Sequence, residues 1–467
     1  MCLFAVFIGL ATGSVCATEA VKHLLLDDRV VESLDNAVLR VGQVEKHPAN
    51  PLFVEDQVWE PRFDNLYPNV IYDEEDQLYK IWYFTWTYDP AVENTPPDQR
   101  TPGTYITVLK KYRRELGRNE PRTDGLGYAF SKDGIHWEKP LMSVSAWKGH
   151  PSNLVMQPAH GVGVYKDLQE RDPARRFKLI CQAGWHVMGV AFSEDGIHWG
   201  ERIATPEIEA AGDCHNNALW VPQLNKYVAI TRLWASNQRI VGRTESRDFI
   251  HWSKAVEVLR GDPQKQSYAM PIFRYGNVYL GLPALINLET DRTQTELAWS
   301  PDTITWHRIE PGTALIPNAE QKGVYDWGIV HASRPVLLDN EIRLYYGAGD
   351  ARHAWDWRKG SLCVATLRPD GFAGYEPEDV SQPAVVITKP IALGGALSLT
   401  ADAEGGAVRV ALLDDRGKVL LTSRPVTTSV TNEPVSWSGN GRLEELAGRQ
   451  VRLQFKIKKA KLYSFMF

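Results

Sequence analysis

The chain has 467 residues, 43% hydrophobic and 23% charged, an ordinary balance for a folded globular protein with room for two domains or a large repeat domain plus an accessory one. A formal charge of −5 and the lack of any long basic run exclude a broad electrostatic pull toward nucleic acid. The surplus is aromatic: 16 Trp and 18 Tyr suit stacked β-sheets, and they also suit sugar binding, because an apolar pyranose face lies well on an aromatic ring.

The N-terminus, MCLFAVFIGLATGSVCATEA, is apolar through Val15 and closes on the small-residue pattern Val15-Cys16-Ala17. It reads as a secretory signal over 1–17, cleaved after Ala17, although the usual basic n-region is absent. Lipidation of Cys16 is the weaker alternative, since Val15 is large where such signals prefer a small residue. No other apolar run approaches the ~20 residues needed to cross a bilayer, so the mature chain is expected to be secreted or periplasmic and free of the membrane. Cys181, Cys214 and Cys363 then remain, odd in number and far apart, which predicts buried thiols rather than a disulfide framework or a metal cluster.

Residues 18–44 follow as an N-terminal segment whose run KHLLLDDRVVES is expected to add the missing outer strand of the last repeat and close a ring. Beyond it one phrase recurs: SKDGIHW at Ser131–Trp137, SEDGIHW at Ser193–Trp199, SRDFIHW at Ser246–Trp252 and SPDTITW at Ser300–Trp306. Its tryptophans are 62, 53 and 54 residues apart. A period of this size marks a supersecondary unit that must stack on its neighbours to bury its face. In the third unit NALWVPQL, KYVAITRLW, QRIVGRTES and IHWSKAVEVL are four β-rich runs separated by short turns, which is a propeller blade. Asp-Gly (or Asp-Phe, Asp-Thr) makes the tight turn between third and fourth strands, and the Trp is large enough to pack between blades.

RPDGFAGY, Arg368 to Tyr375, is a worn fifth copy. The expected fold class is therefore all-β, a five-bladed β-propeller over 45–376 and a small C-terminal β-sandwich over 377–467, where the box is lost and alternating runs such as AVRVALLDD take over. An insertion in the first blade, about Thr87 to Asp124, holds the basic cluster KKYRRELGR; it reads equally as a solvated loop or as a rim that shapes the pocket.

In a propeller the innermost strands all begin at one end of the central channel. Counting back from each box Trp, His160 lies 39 residues before Trp199, Asp213 lies 39 before Trp252 and Gln266 lies 40 before Trp306. The matching points in the outlying blades are Asp64, in WEPRFDNLYPNV, and Asp326, in VYDWGIV. The channel mouth should thus be ringed by Asp64, His160, Asp213 with His215, Gln266 with Tyr268, and Asp326, with Arg62, Arg334, Trp220 and Trp327 nearby in sequence. Carboxylates around a small pocket with aromatic and hydrogen-bonding neighbours are what glycosidic cleavage requires: one activates water or attacks, and another group protonates the leaving oxygen. Arginines there could also hold an acidic sugar through paired hydrogen bonds. Each residue has a structural alternative, since Asp at a strand start is often a turn-former and His160 can serve a buried backbone group. His136, His198 and His251 belong to the box and read as structural.

Boxes of the S-x-D-G-x-x-W kind, with an Asp opening the first blade, resemble the five-bladed propeller glycoside hydrolases of families 32, 43, 62, 117 and 130 over roughly residues 45–376. The C-terminal sandwich is similar to the accessory module of family 32. In the family 43 pattern a blade-one Asp is the base, a blade-two Asp tunes a pKa and a blade-three Glu is the acid. Asp64 matches the first, but this chain offers His160 in blade two and Asp213, with no Glu, in blade three. Family 117 pairs a His acid with two Asp residues, so the resemblance implies Asp64 as base, His215 (or in second place His160) as acid, and Asp213 setting its pKa and orientation.

The expected function is a secreted glycoside hydrolase acting on a plant or algal polysaccharide or its oligosaccharides, with inversion of configuration by analogy. The alternatives are a non-catalytic carbohydrate-binding propeller and a phosphorylase of the family 130 type. No cofactor is required; some related propellers hold a cation in the channel, but no local ligand motif here calls for one. The oligomeric state is not legible.

Overall fold

The computed structural model describes residues 22–115, 122–184, 186–438 and 443–467. The expected signal segment, with Cys2 and Cys16, lies outside them. The described chain is nearly all-β; apart from short 3-10 turns its helices are Pro90–Asn94 and Tyr105–Glu115, both in the insertion at the end of Leu78–Tyr88. None of its helices is long and apolar enough to cross a membrane.

Antiparallel sheets follow one another along the chain. The first joins Asn69–Asp73, Leu78–Tyr88, Thr123–Ser131 and Leu154–Met156; the second His160–Lys166, Phe177–Gly184, Val187–Ser193 and Ile203–Ala204; the third Asn217–Val221, Lys226–Ala235, Gln238–Ser246 and Val256–Arg260. The next unit is split. Its outer sheet runs Ile272–Tyr275, Val278–Gly281, Leu297–Ser300, His307–Ile309, and a separate three-stranded sheet holds Lys265–Ala269, Ala284–Asn287 and Arg292–Thr295. Another sheet is built on Ile329–Ala332, Ile342–Gly349 and Gly360–Leu367. Contacts between sheets run in a cycle: Leu78–Tyr88 on His160–Lys166, then Asn217–Val221, then Ile272–Tyr275, while Arg292–Thr295 meets Ile329–Ala332 and Val336–Leu337 returns to Asn69–Asp73.

The box explains the sheet boundaries. In Ser131–Trp137 the Asp133 Oδ1 accepts the backbone N–H of Ile135 and His136, each at 2.8 Å, and Ser131 Oγ accepts that of Gly134 at 2.9 Å. Asp195, Asp248 and Asp302 repeat the pattern with the same geometry. The residue after the Asp is left-handed in every copy: Gly134 and Gly196 have φ of 76° and 77°, and Phe249 and Thr303 are held at 66° and 67°. Box tryptophans bury across sheets: Trp252 packs on Ile180 and Val190 of the preceding sheet, and Trp306 on Val228 and Val241.

The strand that closes the cycle differs from the expected one. Glu45–Lys46 and Phe53–Val54 pair with Gly360–Leu367, and Phe53 buries among Phe63, Tyr83 and Leu362. The run 22–35 goes elsewhere: Lys22–Leu24 pairs with Lys461–Met466 and Val31–Asp35 with Ala384–Thr388. Leu25, Val30 and Val31 are apolar on a face that the C-terminal sheets, not the ring, can bury. The worn fifth copy also departs. After a turn at Asp370, with φ 65°, the strand Ala373–Pro377 pairs with Ala37–Val41 and joins the C-terminal sheets instead of closing a blade. Two sheets there share one apolar core, with Leu399, Leu462 and Phe465 from one facing Val386, Leu453 and Phe455 from the other.

Asp370 ties the two regions together. Fully buried, it accepts from Lys22 Nζ at 2.7 Å and from the hydroxyls of Tyr275, Thr400 and Ser464 at 2.6, 2.8 and 2.5 Å. Asp370→Ala strands a cation and three hydroxyls, so it should destabilise the protein by roughly 3 kcal/mol. A thermal denaturation midpoint within a degree of the parent would contradict that role.

Candidate active site

At the end of the ring where the innermost strands begin, Asp64, His160 and Asp213 are set by different sheets. His160 is the first residue of His160–Lys166, Asp213 lies in the turn before Asn217–Val221, and Asp64 precedes Asn69–Asp73. The charges of both Asp64 and Asp213 act on the buried Tyr67 and Tyr268 hydroxyls, so both carboxylates lie near that pair of tyrosines.

Asp124, His160 and Asp213 form a chain of hydrogen bonds. His160 Nδ1 donates to Asp124 Oδ2 at 3.0 Å and Nε2 to Asp213 Oδ1 at 2.9 Å. Asp124 is itself held by the Ala159 N–H at 2.8 Å. Burial alone would lower the imidazole pKa, but the hydrogen bonds and charges of Asp124 and Asp213 raise it to about 9. The ring is therefore an imidazolium through the neutral range, with both nitrogens donating. Asp213 also accepts from Arg232 Nη2 at 2.7 Å. Burial would raise the carboxyl of Asp213, yet His160 and Arg232 outweigh it and hold it low. Its side chain is 52% exposed, the most open charged group of the site.

Asp64 is 20% exposed and pairs through Oδ1 with Arg358 Nη2, which also donates to Asn65 Oδ1 at 3.2 Å, while Nη1 donates to the His353 carbonyl. Burial pushes its carboxyl up, but the charges of Arg358, His353, Arg122 and Arg62 hold it well below the usual carboxylate range. Burial also lowers Arg358, which Asp64 offsets only in part. A guanidinium starts so far above neutrality that it stays charged, so the fall at Asp64 is the shift with chemical consequences. Glu55 fastens this corner: its Oε1 accepts the N–H of Phe63 at 3.0 Å and of Gly360 at 2.7 Å, tying the loops that carry Asp64 and Arg358. Burial raises Glu55 to about 7 against those bonds and Arg62.

Arg62 and Tyr268 reach this site, whereas the other expected residues do other work. Arg62 is buried with its Cζ 3.8 Å from the Tyr105 ring centroid. Tyr268 accepts or donates at 3.1 Å with His353 Nε2. Gln266 is one step removed: its Oε1 accepts from the Arg239 backbone N–H at 3.2 Å and from Nη1 at 3.3 Å, positioning Arg239 over Tyr268.

His215 is overturned as the acid. It is buried against Tyr67, ring centroids 5.5 Å apart, with Nε2 3.2 Å from Asn69 Oδ1, and burial with the Arg334 charge lowers it to about 3. A neutral imidazole at working pH has no proton of the needed acidity to give. Tyr67 packs on both His215 and His331, and Tyr268 on His331, so His215 is held in a stack of rings with Asn69, not a carboxylate, at its Nε2. With Arg334, which donates to the Ala218 carbonyl, it lines a cavity of about 540 Å³ bounded by the later residues of the innermost strands, such as Tyr72 and Lys166.

Asp326 is fully buried in an ion pair with Lys46 Nζ at 2.6 Å and accepts the Tyr346 hydroxyl at 3.0 Å. Closing the cycle brings Lys46 in from the N-terminal side, and Asp326 is its counter-charge rather than a site group. Trp327 lies under Arg292 at 4.4 Å, and Trp220 packs edge-on against Tyr227 at 4.8 Å in the core between sheets.

Several groups were not anticipated. Arg358 and His353 come from the loop after Ile342–Gly349, Arg122 and Tyr105 from the insertion, and Arg232 and Arg239 from the hairpin of the third sheet. Trp234, 49% exposed, stands at that hairpin with Arg232, which bonds Asp213, and Arg239 against its ring at 5.5 and 4.6 Å. The signal for it lay in KYVAITRLW, whose last residues end at the same face as Asp213. Among the described residues, no group of three or more His, Cys, Asp or Glu side chains could hold a metal ion. Cys181, Cys214 and Cys363 are buried and unpaired.

No family model and no curated protein matches the chain. The solved structures it is similar to include proteins described as acting on sugars. They include a glycosyl hydrolase from Bacteroides ovatus, 16% identical over 70% of this chain and 94% of that one, with a TM-score of 0.43. A beta-1,2-mannobiose phosphorylase from Listeria innocua is 14% identical over 70% and 96%, TM-score 0.47. An N-acetylgalactosamine deacetylase from F. plautii, in complex with blood group B trisaccharide, is 12% identical over 72% and 96%, TM-score 0.43.

Proposed function

We propose that this chain is a secreted glycoside hydrolase built on a five-bladed β-propeller with a C-terminal β-sandwich. The cycle of sheets supports the propeller, and the shared core of the last two sheets supports the sandwich. The observation that carries the catalytic reading is a pair of carboxylates in unlike environments near one pair of tyrosines: Asp64 clamped by arginines, Asp213 bonded to a charged imidazole. Environments that differ in this way separate the two halves of acid–base catalysis.

In this reading Trp234 is the platform for an apolar sugar face beside the open carboxylate. Asp64 takes a proton from water as the water oxygen bonds to the anomeric carbon. The glycosidic C–O bond breaks, and the leaving oxygen receives the proton shared between His160 Nε2 and Asp213. Asp124 holds the imidazole in place on its far side. Water attack with a separate acid gives inversion of configuration.

The test is incubation of the purified protein with plant and algal polysaccharides and their oligosaccharides, following products and their initial anomeric form by NMR. Release of the inverted sugar in phosphate-free buffer supports the reading. Product that appears only with added phosphate makes the protein a phosphorylase, and no product from any substrate leaves a binding propeller. His215→Gln should keep turnover within about threefold of the parent, because a neutral group packed on Tyr67 transfers no proton. A hundredfold fall with unchanged stability would restore His215 as the acid.

A further inference from the structure

Arginine is in excess around Asp64. Arg62, Arg122 and Arg358 surround it, and the helical insertion adds Arg100 beside Arg62 and Arg113 beside Arg122. The carboxylates within reach of these groups are Asp64, Asp89, Glu55 beside Arg62 and Asp350 beside Arg358, and burial raises the last two, so five guanidiniums face four carboxylates of which two are hard to ionise. Asp89 is already engaged: it caps a helix by accepting the N–H of Ala91 at 2.9 Å and of Val92 at 3.3 Å, and it accepts the Tyr105 hydroxyl at 2.5 Å. Asp64 is taken by Arg358.

The surplus is also geometric. Arg62 is 2% exposed, yet its Nε and Nη2 have no hydrogen-bond partner among the described residues. The Nε atoms of Arg122 and Arg358 are likewise buried and unpartnered. Native proteins rarely leave such donors unsatisfied, because burying one without an acceptor costs free energy. Tyr105 lies under Arg62 at 3.8 Å and Trp86 under Arg122 at 3.7 Å. Stacking fixes both guanidinium planes and leaves their edges as the donors, the arrangement that recognises a flat or tetrahedral oxyanion by paired hydrogen bonds.

We propose that the sugar bound against Asp64 carries an anionic substituent, a carboxylate or a sulfate ester, that docks on the free edges of Arg62, Arg122 and Arg358. The inference rests on the reading of Asp64 as the group beside the reacting carbon. Free phosphate offers the same oxygen chemistry but fits less well. A phosphate that attacks the anomeric carbon needs no base, and it would be brought against a carboxylate that the site keeps ionised. An anion fixed to a ring carbon is held away from Asp64 by the ring itself. Its charge also weakens the arginine field on Asp64, so the carboxylate becomes a stronger base once substrate is seated.

The experiment measures binding to the full chain by calorimetry for oligogalacturonate, oligoguluronate and sulfated galactan oligosaccharides. Each is paired with its carboxyl-reduced or desulfated counterpart. At least one acidic member should bind about tenfold or more tightly than its own neutral counterpart, with a preference that shrinks as salt is raised. Arg62→Gln and Arg122→Gln should each erase that preference. Equal binding within every pair overturns the proposal, as does no binding of any pair, or inorganic phosphate that competes for the site and drives product formation. The parent pairs decide the matter even if a variant does not fold. Acid-selective binding without cleavage would keep this inference and remove the hydrolase reading; cleavage of a neutral sugar with no selectivity would do the reverse.

Discussion

Asp64→Asn is expected to lower turnover by roughly 10³–10⁴ while the protein stays folded, the largest effect of any single substitution at this site. Asparagine keeps the shape and still accepts from Arg358, but it cannot take a proton from water. Its positive neighbours also lose the charge that offsets them near the transition state. The loss should fall on kcat with KM little changed, since the interaction is made with the reacting water. Small carboxylates such as formate, entering the space beside the variant, should recover part of the rate. Stability should change in a defined pH window. The folded carboxyl is held below its unfolded value of about 3.9, so the parent gains stability above that value and loses it as the medium is made more acidic. In Asp64→Asn that acid-side loss should be shallower. A variant that cleaves its sugar at the parent rate removes Asp64 from the chemistry.

Much of the architecture can be traced to one local motif. The Asp of S-x-D-G-x-x-W accepts its own downstream N–H groups, and the next residue turns left-handed, so a boundary between strands is written within a few residues. Local chemistry of this kind is legible without a fold. Equal counting back from the box Trp found His160 and Asp213, which lie 2.9 Å apart, because the two repeats span the same 39 residues from that point to the box Trp. Asp326, the matching point chosen where the count does not hold, is buried elsewhere. It lies in the turn before Ile329–Ala332, and its surroundings were decided by Lys46, some 280 residues earlier in the chain. His215, two residues from Asp213, packs on Tyr67 instead of bonding His160, and no spacing rule shows which side chain of DCHNN does which. The arginines were the least legible. Arg122, Arg232 and Arg358 arrive from an insertion, a hairpin and a late loop, and only the closed ring makes them neighbours. The closing strand was ambiguous for a related reason. KHLLLDDRVVES reads as extended, but which strand closes the cycle was decided by which apolar faces the two cores could bury.

His160→Gln carries the second large effect, a fall in turnover of about 10²–10³ together with the disappearance of a pH dependence. In the parent the acid is useful only while the imidazole holds its proton, so activity should decline as pH rises through about 9. Glutamine can span from Asp124 toward Asp213 but has no proton to lose, and its residual rate should be flat across that interval. The sign of the stability change follows from the same shift. The folded pKa, about 9, lies above the unfolded value of about 6.5, so the stabilisation is complete below 6.5 and drains away as pH rises through 9. The difference corresponds to an order of 3 kcal/mol, from about 1.4 kcal/mol per pH unit. The groups facing the ring fit this assignment: Asp124 and Asp213 bond its two nitrogens, Asp213 is held low against burial by His160 and Arg232, Arg232 is raised against burial by Asp213, and burial pushes Tyr67 and Tyr268 up. Denaturation midpoints at pH 6 and pH 10 should therefore diverge for the parent and converge for His160→Gln. An alkaline limb that survives in the variant would assign the titration to another group and take the proton away from His160.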